Sequence, residues 1–371
     1  MAKRILFIAS TYSHVVNFHL PYLRAFREWG YETDVACGGR PCEIPCAGRV
    51  IHLPLEKSMF SPRNLSAVRL LRREIRANGY SLISCHTSLA AFFTRLAVLT
   101  SGVRPPLACT VHGYLFDDDT PALRKALLIG AEKLAAPVTT LLMTMNAWDD
   151  RFARAHHLGR EIVFIPGMGV DFSALRQGDP EEAAALRRRL GFGPEDFLLV
   201  YGAEFSRRKN QTLLLRALAG LPEQVKLLLP GDGDLRADCM ALAGSLGVAG
   251  RVVFPGQVRD MPVWYGAADA AVSSSRSEGL PFNIMEAMGA GLPVAASAVK
   301  GHTDLIEDGR TGLLFPTEDV SACRARLVRL WEDRALGRAL GENARAAMEA
   351  YDITRVLPQV LHWYHKLLPP E

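Results

Sequence analysis

The sequence predicts an α/β protein built from two doubly wound parallel-sheet domains, and three observations carry that prediction. Short apolar runs alternate with amphipathic helical patterns in two successive series, as parallel sheets covered on both faces require. At 371 residues, 49% apolar and 22% charged, the chain is long enough for two ordinary cores. Between the series lies a stretch, 173–195, that is rich in Gly, Pro and acidic residues apart from a short Ala/Leu/Arg helix, and it reads as a join. The expected division is therefore 1–172, a linker at 173–195, and 196–352.

In the first series, strands are predicted at Arg4–Ala9, Glu32–Ala36, Val50–Leu53, Ser81–Ser84, Leu107–Val111, Thr139–Thr144 and Ile162–Ile165. Helical periodicity fills most intervals, at Val16–Trp29, Pro62–Ala77, Leu89–Thr100, Ala122–Ala135 and Ala147–His156. The second series places strands at Phe197–Gly202, Val225–Leu229, Arg251–Phe254, Ala270–Ser273, Val294–Ala296 and Gly312–Phe315, again alternating with helices. Ligands of such domains are expected outside the carboxyl ends of the strands, in a cleft between the two. The last segment, 353–368, is an amphipathic helix with Trp363 and Tyr364.

The most informative stretch runs from Ser277 to Val294. A short apolar run is followed by a polar loop and then by Pro281, which suits the first turn of a helix. A helix start presents unpaired N–H groups and the positive end of the macrodipole, both favourable to phosphate. Glu286 lies four residues beyond Phe282, roughly 6 Å further along the helix, which puts its carboxylate in reach of ribose hydroxyls while a diphosphate sits at the start. Glu278, still in the loop, then addresses a hexose. The bland reading is a surface acid followed by a partly exposed helical Glu.

Other motifs are weaker. Ser13, His14 and Asn17 follow the first strand and line a loop with room for an acceptor or a phosphate. Gly231-Asp232-Gly233 holds only part of a dinucleotide fingerprint and reads as a tight turn. The loop after the first strand lacks Gly-x-Gly-x-x-Gly, which argues against a nicotinamide enzyme. His86, at a strand end, reads as a buried polar contact. Asp117, Asp118 and Asp119 superficially offer metal-binding carboxylates but read as a solvated loop. Cys37, Cys42 and Cys46 with His52 number four zinc ligands, yet their spacing lacks the paired C-x-x-C form.

The net charge of +4 is unevenly spread. Residues 1–172 carry 20 Lys and Arg against 14 Asp and Glu, and the remainder 23 against 25. Arg69, Arg72, Arg73 and Arg76 recur at helical spacing, so one face suits anionic lipid or a diphosphate-linked acceptor, or is simply solvated. Aromatic residues are not interleaved with the basic ones, which argues against nucleic acid. No run approaches the roughly 18 apolar residues of a membrane span. With seven cysteines in no regular framework, the expectation is a cytoplasmic protein with reduced thiols, peripheral at most on the inner face of the membrane.

The run Glu278-Gly279-Leu280-Pro281, followed by Glu286-Ala287-Met288-Gly289-Ala290-Gly291-Leu292-Pro293-Val294 and by Lys300–Gly309, resembles the retaining glycosyltransferases of family four. Ser10–Pro21, His112-Gly113-Tyr114 and Ile165–Asp171 resemble the branch that builds bacterial exopolysaccharide or capsule. The resemblance implies a GT-B fold with two Rossmann-like domains facing a cleft, and a terminal helix, 353–368, that crosses back onto the first. It also implies a nucleotide-sugar donor, with a UDP-sugar expected, a glycan or polyprenyl-diphosphate-linked acceptor, retention at the anomeric carbon, and neither cofactor nor metal.

For particular residues, the resemblance puts Lys209 on the donor diphosphate. Many relatives carry an Arg five residues earlier, where this chain has Glu204; Arg208 or Arg207 then supplies the second cation, unless it is a solvated loop residue. His112 is placed beside the transferred sugar with Glu278, and Glu286 on the ribose. Gly231, Gly279, Leu280, Pro281, Phe282 and Asn283 are placed around the donor, and Val258 in the segment whose backbone reads the base. The implied chemistry is a front-face displacement in which the departing diphosphate takes the proton of the incoming hydroxyl. A sugar-nucleotide 2-epimerase of the same fold and a non-catalytic nucleotide-sugar module stay open.

Overall fold

The structure, a computed structural model, describes residues 3–56, 58–59, 61–176 and 179–368. The chain divides into two units, one formed by 1–169 with 353–371 and the other by 170–352. Positions 1, 2, 57, 60, 177 and 178 of the expected domains and linker lie outside the described residues.

The first unit holds seven strands: β1 (Arg4–Thr11), β2 (Glu32–Gly38), β3 (Val50–His52), β4 (Leu82–His86), β5 (Leu107–Thr110), β6 (Leu141–Thr144) and β7 (Glu161–Phe164). Its helices are α1 (Tyr12–Phe18), α2 (Leu20–Glu28), α3 (Arg63–Asn78), α4 (Ser88–Ser101), α5 (Ala122–Ala135) and α6 (Ala147–Ala155). The strands run parallel in the order β3-β2-β1-β4-β5-β6-β7. Ile5, Leu6, Phe7 and Ile8 are fully buried, as a central strand covered on both faces demands.

The second unit repeats the plan. Between 170 and 195 come α7 (Ser173–Arg176) and α8 (Pro180–Arg189), followed by β8 (Phe197–Val200), α9 (Gln211–Leu218), β9 (Val225–Pro230), α10 (Arg236–Ser245), β10 (Val252–Gly256), α11 (Met261–Ala267) and β11 (Ala270–Ser273). Next are α12 (Phe282–Gly289), β12 (Val294–Ser297), α13 (His302–Leu305), β13 (Leu313–Phe315), α14 (Val320–Glu332) and α15 (Arg334–Met348). The order β10-β9-β8-β11-β12-β13, parallel throughout, is the 3-2-1-4-5-6 winding of a dinucleotide-binding sheet.

Two elements differ from the sequence expectation, the helix around His19 and the stretch 173–195. The helix expected over Val16–Trp29 is two helices broken at His19, because Pro21 in the first turn of α2 has no N–H to donate and its ring excludes a continuous helix. The stretch 173–195 is no loose join. Arg187 of α8 bonds the carbonyls of Asp196 and Ala267 at 2.6 and 3.0 Å and the Asp269 carboxylate at 3.1 Å, which anchors α8 within the second unit. The terminal helix α16 (Ile353–Leu367) packs within the first unit, where Tyr364 bonds Ser84 of β4 at 2.8 Å and meets Phe26 edge-on at 5.2 Å.

Candidate functional site

In an open α/β sheet the strand order reverses at one point, and loops leaving the two strands there diverge to leave a crevice. In the second sheet those strands are β8 and β11. The loop after β8 carries Arg208 and Lys209, and the loop after β11 carries Glu278.

The three side chains meet. Lys209 Nζ lies 2.6 Å from Glu278 Oε1, and Arg208 Nη1 lies 2.7 Å from Oε2. Ser275 donates to Glu278 Oε1 at 2.6 Å and is itself 2.7 Å from the Tyr201 hydroxyl. The backbone of Arg276 donates to Arg208 O at 2.8 Å, Ser274 donates to Asn210 O at 2.8 Å, and the Arg276 guanidinium bonds Arg207 O and Glu318. These bonds stitch the two loops together.

The Glu278 side chain is 6% exposed and that of Lys209 11%. Burial alone raises the Glu278 pKa, but Lys209 and Arg208 overcome it and hold the carboxyl at about 2. Burial lowers the Lys209 pKa, and Glu278 counters part of the effect. His302 lies close enough for the Glu278 charge to act on it, and burial holds that ring at about 4. Its Nδ1 is 2.8 Å from Ser297 O. Two cations share the Glu278 carboxylate, and the Glu204 charge also acts on Lys209.

Helix α12 opens beside that loop. Pro281 is its N-cap residue and contributes no side-chain cap. Leu280 and Pro281 are buried, while Gly279, Phe282 and Asn283 are half-buried. Gly301, at φ +82°, approaches so closely that a Cβ there would stand 2.7 Å from Gly279 O. Glu286, one turn on, accepts from the Tyr265 hydroxyl at 3.0 Å. Burial raises its pKa, with the Tyr265 bond opposing.

Gly231 follows β9, and its N–H donates to Gly256 O at 2.8 Å. At φ +143° its Cα lies so close to the loop after β8 that a Cβ would stand 2.0 Å from Ala203 O. The Gly-x-Gly turn thus lets two loops touch. Val258 is half-buried in the loop after β10.

The remaining sequence-selected residues lie in the first unit. The first sheet reverses between β1 and β4, and His14 and His19 follow β1, His86 ends β4 and His112 follows β5. The rings form one cluster, with centroids 4.9 Å apart for His14 and His19, 4.2 Å for His19 and His86, and 4.8 Å for His14 and His112. His112 Nε2 is 3.3 Å from His86 Nδ1, and His86 Nε2 is 2.9 Å from the Ser84 hydroxyl. Burial lowers the pKa of His14 to about 4, and burial with the neighbouring rings lowers those of His19, His86 and His112. Ser13 and Asn17 are exposed on α1, where Ser13 Oγ is 3.1 Å from Thr11 Oγ1.

Asp117 bonds Thr120 at 2.8 Å, and Asp118 bonds Trp148 and Lys125 at 2.8 and 3.2 Å. Cys37, Cys42 and Cys46 are free thiols. Among the described residues, the group spaced to hold a metal is instead His14, His19 and His112. Arg69, Arg72, Arg73 and Arg76 are exposed on α3. Among the described residues no helix is long and apolar enough to cross a membrane.

Sequence reasoning missed Tyr201, Ser275 and Tyr265, which seat the two glutamates, and His19, which joins the histidine cluster. The Ser273-Ser274-Ser275 run at the end of β11 is the one local signal for the first group: small polar residues at a buried strand end need partners.

Two family models match the chain, the one described as Glycosyltransferase Family 4 over residues 21–171 and the one described as Glycosyl transferases group 1 over 182–347. EpsD of Bacillus subtilis (strain 168), itself assigned as a glycosyltransferase, is 33% identical across 98% of this chain and 97% of its own length. An Escherichia coli UDP-Gal:α-D-GlcNAc-diphosphoundecaprenol α-1,3-galactosyltransferase is 26% identical over 76% of this chain and 73% of its own. The crystal structure of Anabaena HepE in complex with UDP and glucose superimposes over 98% of this chain and 100% of that one, with a TM-score of 0.82 at 22% identity.

Proposed function

The chain belongs to glycosyltransferase family 4 and has the GT-B fold, and from that premise we propose that it transfers a hexosyl or N-acetylhexosaminyl group from a UDP-sugar to a glycan or lipid-linked acceptor in exopolysaccharide or capsule assembly. That it is a transferase follows from the family; donor, acceptor and stereochemistry are our reading.

One observation carries the donor side. Lys209 and Arg208 converge on Glu278 beside the start of α12, which makes a cationic seat for a diphosphate at a helix N-terminus. When donor binds, the two cations face the diphosphate and stabilise the charge that develops as the glycosidic bond breaks. Glu278 holds the sugar and Glu286 the ribose. Gly231 and the residues Gly279–Asn283 bring backbone close to the diphosphate, and Val258 lies where backbone groups read the base. The departing diphosphate takes the proton of the incoming hydroxyl on the same face, so configuration is retained and the cationic loop fills the role a divalent ion has elsewhere. The first unit receives the acceptor through Ser13, His14 and Asn17.

The relatives support the two substrate classes. The E. coli galactosyltransferase names a UDP-sugar and a diphosphoundecaprenol acceptor, and HepE was crystallised with UDP and glucose. The exposed arginines of α3 agree with an anionic, lipid-linked acceptor and with peripheral contact at the cytoplasmic membrane face.

The deciding experiment is a screen of UDP-, GDP- and ADP-sugars for thermal stabilisation and for slow nucleotide release. We expect a UDP-sugar to stabilise the protein and release UDP, and proton NMR of the product to show the donor's anomeric configuration. Stabilisation by another nucleotide class, or an inverted product, refutes the corresponding part. Isomerised donor without acceptor identifies the epimerase instead.

A further inference from the structure

Helix α5 turns apolar residues outward as well as inward. Its inner face buries Leu128, Glu132 and Ala135, with Glu132 held by the buried Arg95 at 2.9 and 3.0 Å. A helix at the surface of a monomer carries polar residues on its outer face. Here Leu123, Leu127 and Leu134 stand outward instead, 87%, 53% and 54% exposed. Beside the helix, the exposed Leu115 and half-buried Phe92 line a narrow apolar slot with Leu89 and Phe116. Large apolar side chains exposed together, rather than singly, mark a surface that meets a partner.

The spacing of the stripe indicates what that partner is. Leu123, Leu127, Gly130 and Leu134 follow one another by four, three and four positions, and at about 100° per residue they fall within an arc of about 60°. Such a stripe is the seam of two packed helices, where the side chains of one fill gaps in the other. The gap is Gly130, where a Cβ would meet nothing within 4 Å. The series also reads the same in both directions. Laid antiparallel against a second α5, Leu123 stands opposite Leu134 of the other copy, and Leu127 enters the gap at Gly130 of that copy. A two-fold axis makes each contact twice, which is how one surface patch recognises itself.

The charges obey the same symmetry. Asp118 and Asp119 are exposed just before α5, and Lys133, His156, His157 and Arg160 line a hollow of about 370 Å³ at its far end. Antiparallel packing sets the acidic end of each copy against the basic end of the other. Arg124 and Lys133, the exposed cations of the helix, lie about 180° apart around it, so where they come level across the seam they occupy opposite edges. An anionic bilayer fits less well, since the two acids adjoin Leu123, the most exposed of the leucines.

We propose that two copies of this chain associate through α5, antiparallel about a two-fold axis between positions 128 and 129. The helix has 14 residues. It is about 21 Å long, whereas a lasting dimer buries roughly 800 Å² on each copy, so the association is reversible and depends on concentration. It does not rest on the transferase reading and needs neither donor nor acceptor.

The test is analytical ultracentrifugation of the full, tag-free chain over about two decades of concentration. We expect the mass to climb from one chain toward two. Leu127→Asp and Leu123→Ser, both at exposed positions, should each hold the mass at one chain, with the circular dichroism spectrum and the Tm of the dilute parent retained. Asp119→Lys should weaken association about threefold to tenfold, and Arg69→Ala, on α3, should leave it unchanged. One chain at every concentration overturns the proposal, as does a dimer that Leu127→Asp leaves intact. A dimer insensitive to Asp119→Lys overturns the antiparallel arrangement. A chain that stays monomeric yet binds phosphatidylglycerol vesicles, and loses that binding in Leu127→Asp, gives the face to lipid and overturns the proposal as well.

Discussion

Lys209 and Glu278 form an ion pair 2.6 Å long between the loops that leave β8 and β11, the two strands at which the second sheet changes direction. Arg208 joins the same carboxylate at 2.7 Å, so a single acid holds two cations in place. Under the proposed function, the pair is the rest position of charges that act on the donor.

Lys209→Ala removes the better-buried cation and leaves Glu278 with Arg208 and Ser275. Removing one preorganised charge stabiliser costs on the order of 100-fold to 1000-fold in rate. We expect turnover to fall at least about 100-fold with the circular dichroism spectrum retained. Near-normal turnover in a folded variant would remove Lys209 from the chemistry.

Glu278→Gln is expected to destabilise as well as inactivate. It leaves the Lys209 ammonium, almost wholly buried, without its counter-charge, and breaking a buried pair from one side costs about 3–5 kcal/mol. The depressed pKa carries a pH signature. The unfolded carboxyl titrates near 4.3 and the folded one at about 2, so its stabilisation is complete above the first value and is lost as pH falls toward the second. Urea denaturation at pH 7 measures the first effect; a variant within about 1 kcal/mol of the parent would show that the pair does not hold the loops.

Glu286 differs from Glu278 in having a hydroxyl partner and a raised pKa. Among the described residues no cation pairs with it, so it is suited to accept from neutral sugar hydroxyls. Glu286→Gln should therefore weaken donor binding, with a smaller effect on the turnover of saturated enzyme. Calorimetric titration with the nucleotide sugar decides the matter: unaltered affinity removes the ribose assignment.

Much of the architecture was legible because parallel strands buried on both faces appear as continuous apolar runs, such as Ile5–Ile8 and Phe197–Val200. The ends were less so. The seventh strand is Glu161–Phe164 rather than Ile162–Ile165, since pairing with β6 sets its register, and the break at His19 is governed by a proline two residues on. Around the loop after β11, the Glu278 and Glu286 positions stood out by their spacing about a helix start. Their supports did not, because Tyr201 is 74 residues from Ser275 and Tyr265 is 21 from Glu286, and only the folded sheet brings them together. The histidine cluster was half-visible for the same reason: His14 and His112 were selected, but their meeting with His19 and His86 depends on strand order.

Gly231→Ala tests the contact between loops. The new Cβ would overlap Ala203 O, and φ +143° is a conformation that side-chain-bearing residues rarely adopt. Backbone strain of this kind costs about 1–3 kcal/mol, before the overlap is counted. We expect a lower urea midpoint with an unchanged slope. A variant as stable as the parent would mean that the two loops do not pack as described.

The buried histidines set the pH at which the protein begins to lose stability. His14 and His302 titrate at about 4 in the folded chain, and His19, His86 and His112 are also lowered. Unfolded histidines titrate near 6.5. Between those values the unfolded chain binds more protons than the folded one, so stability rises with pH and falls on acidification. Each such group contributes a slope of up to about 1.4 kcal/mol per pH unit, and several act in the same direction. The protein should therefore weaken steadily from about pH 6.5 downward, well above the range in which Glu278 titrates. Urea midpoints measured in half-unit steps from pH 7.5 to 4.5 give the slope, and His14→Gln should reduce it. A flat profile between pH 6.5 and 5 would mean that the rings are protonated at no cost, contrary to their burial.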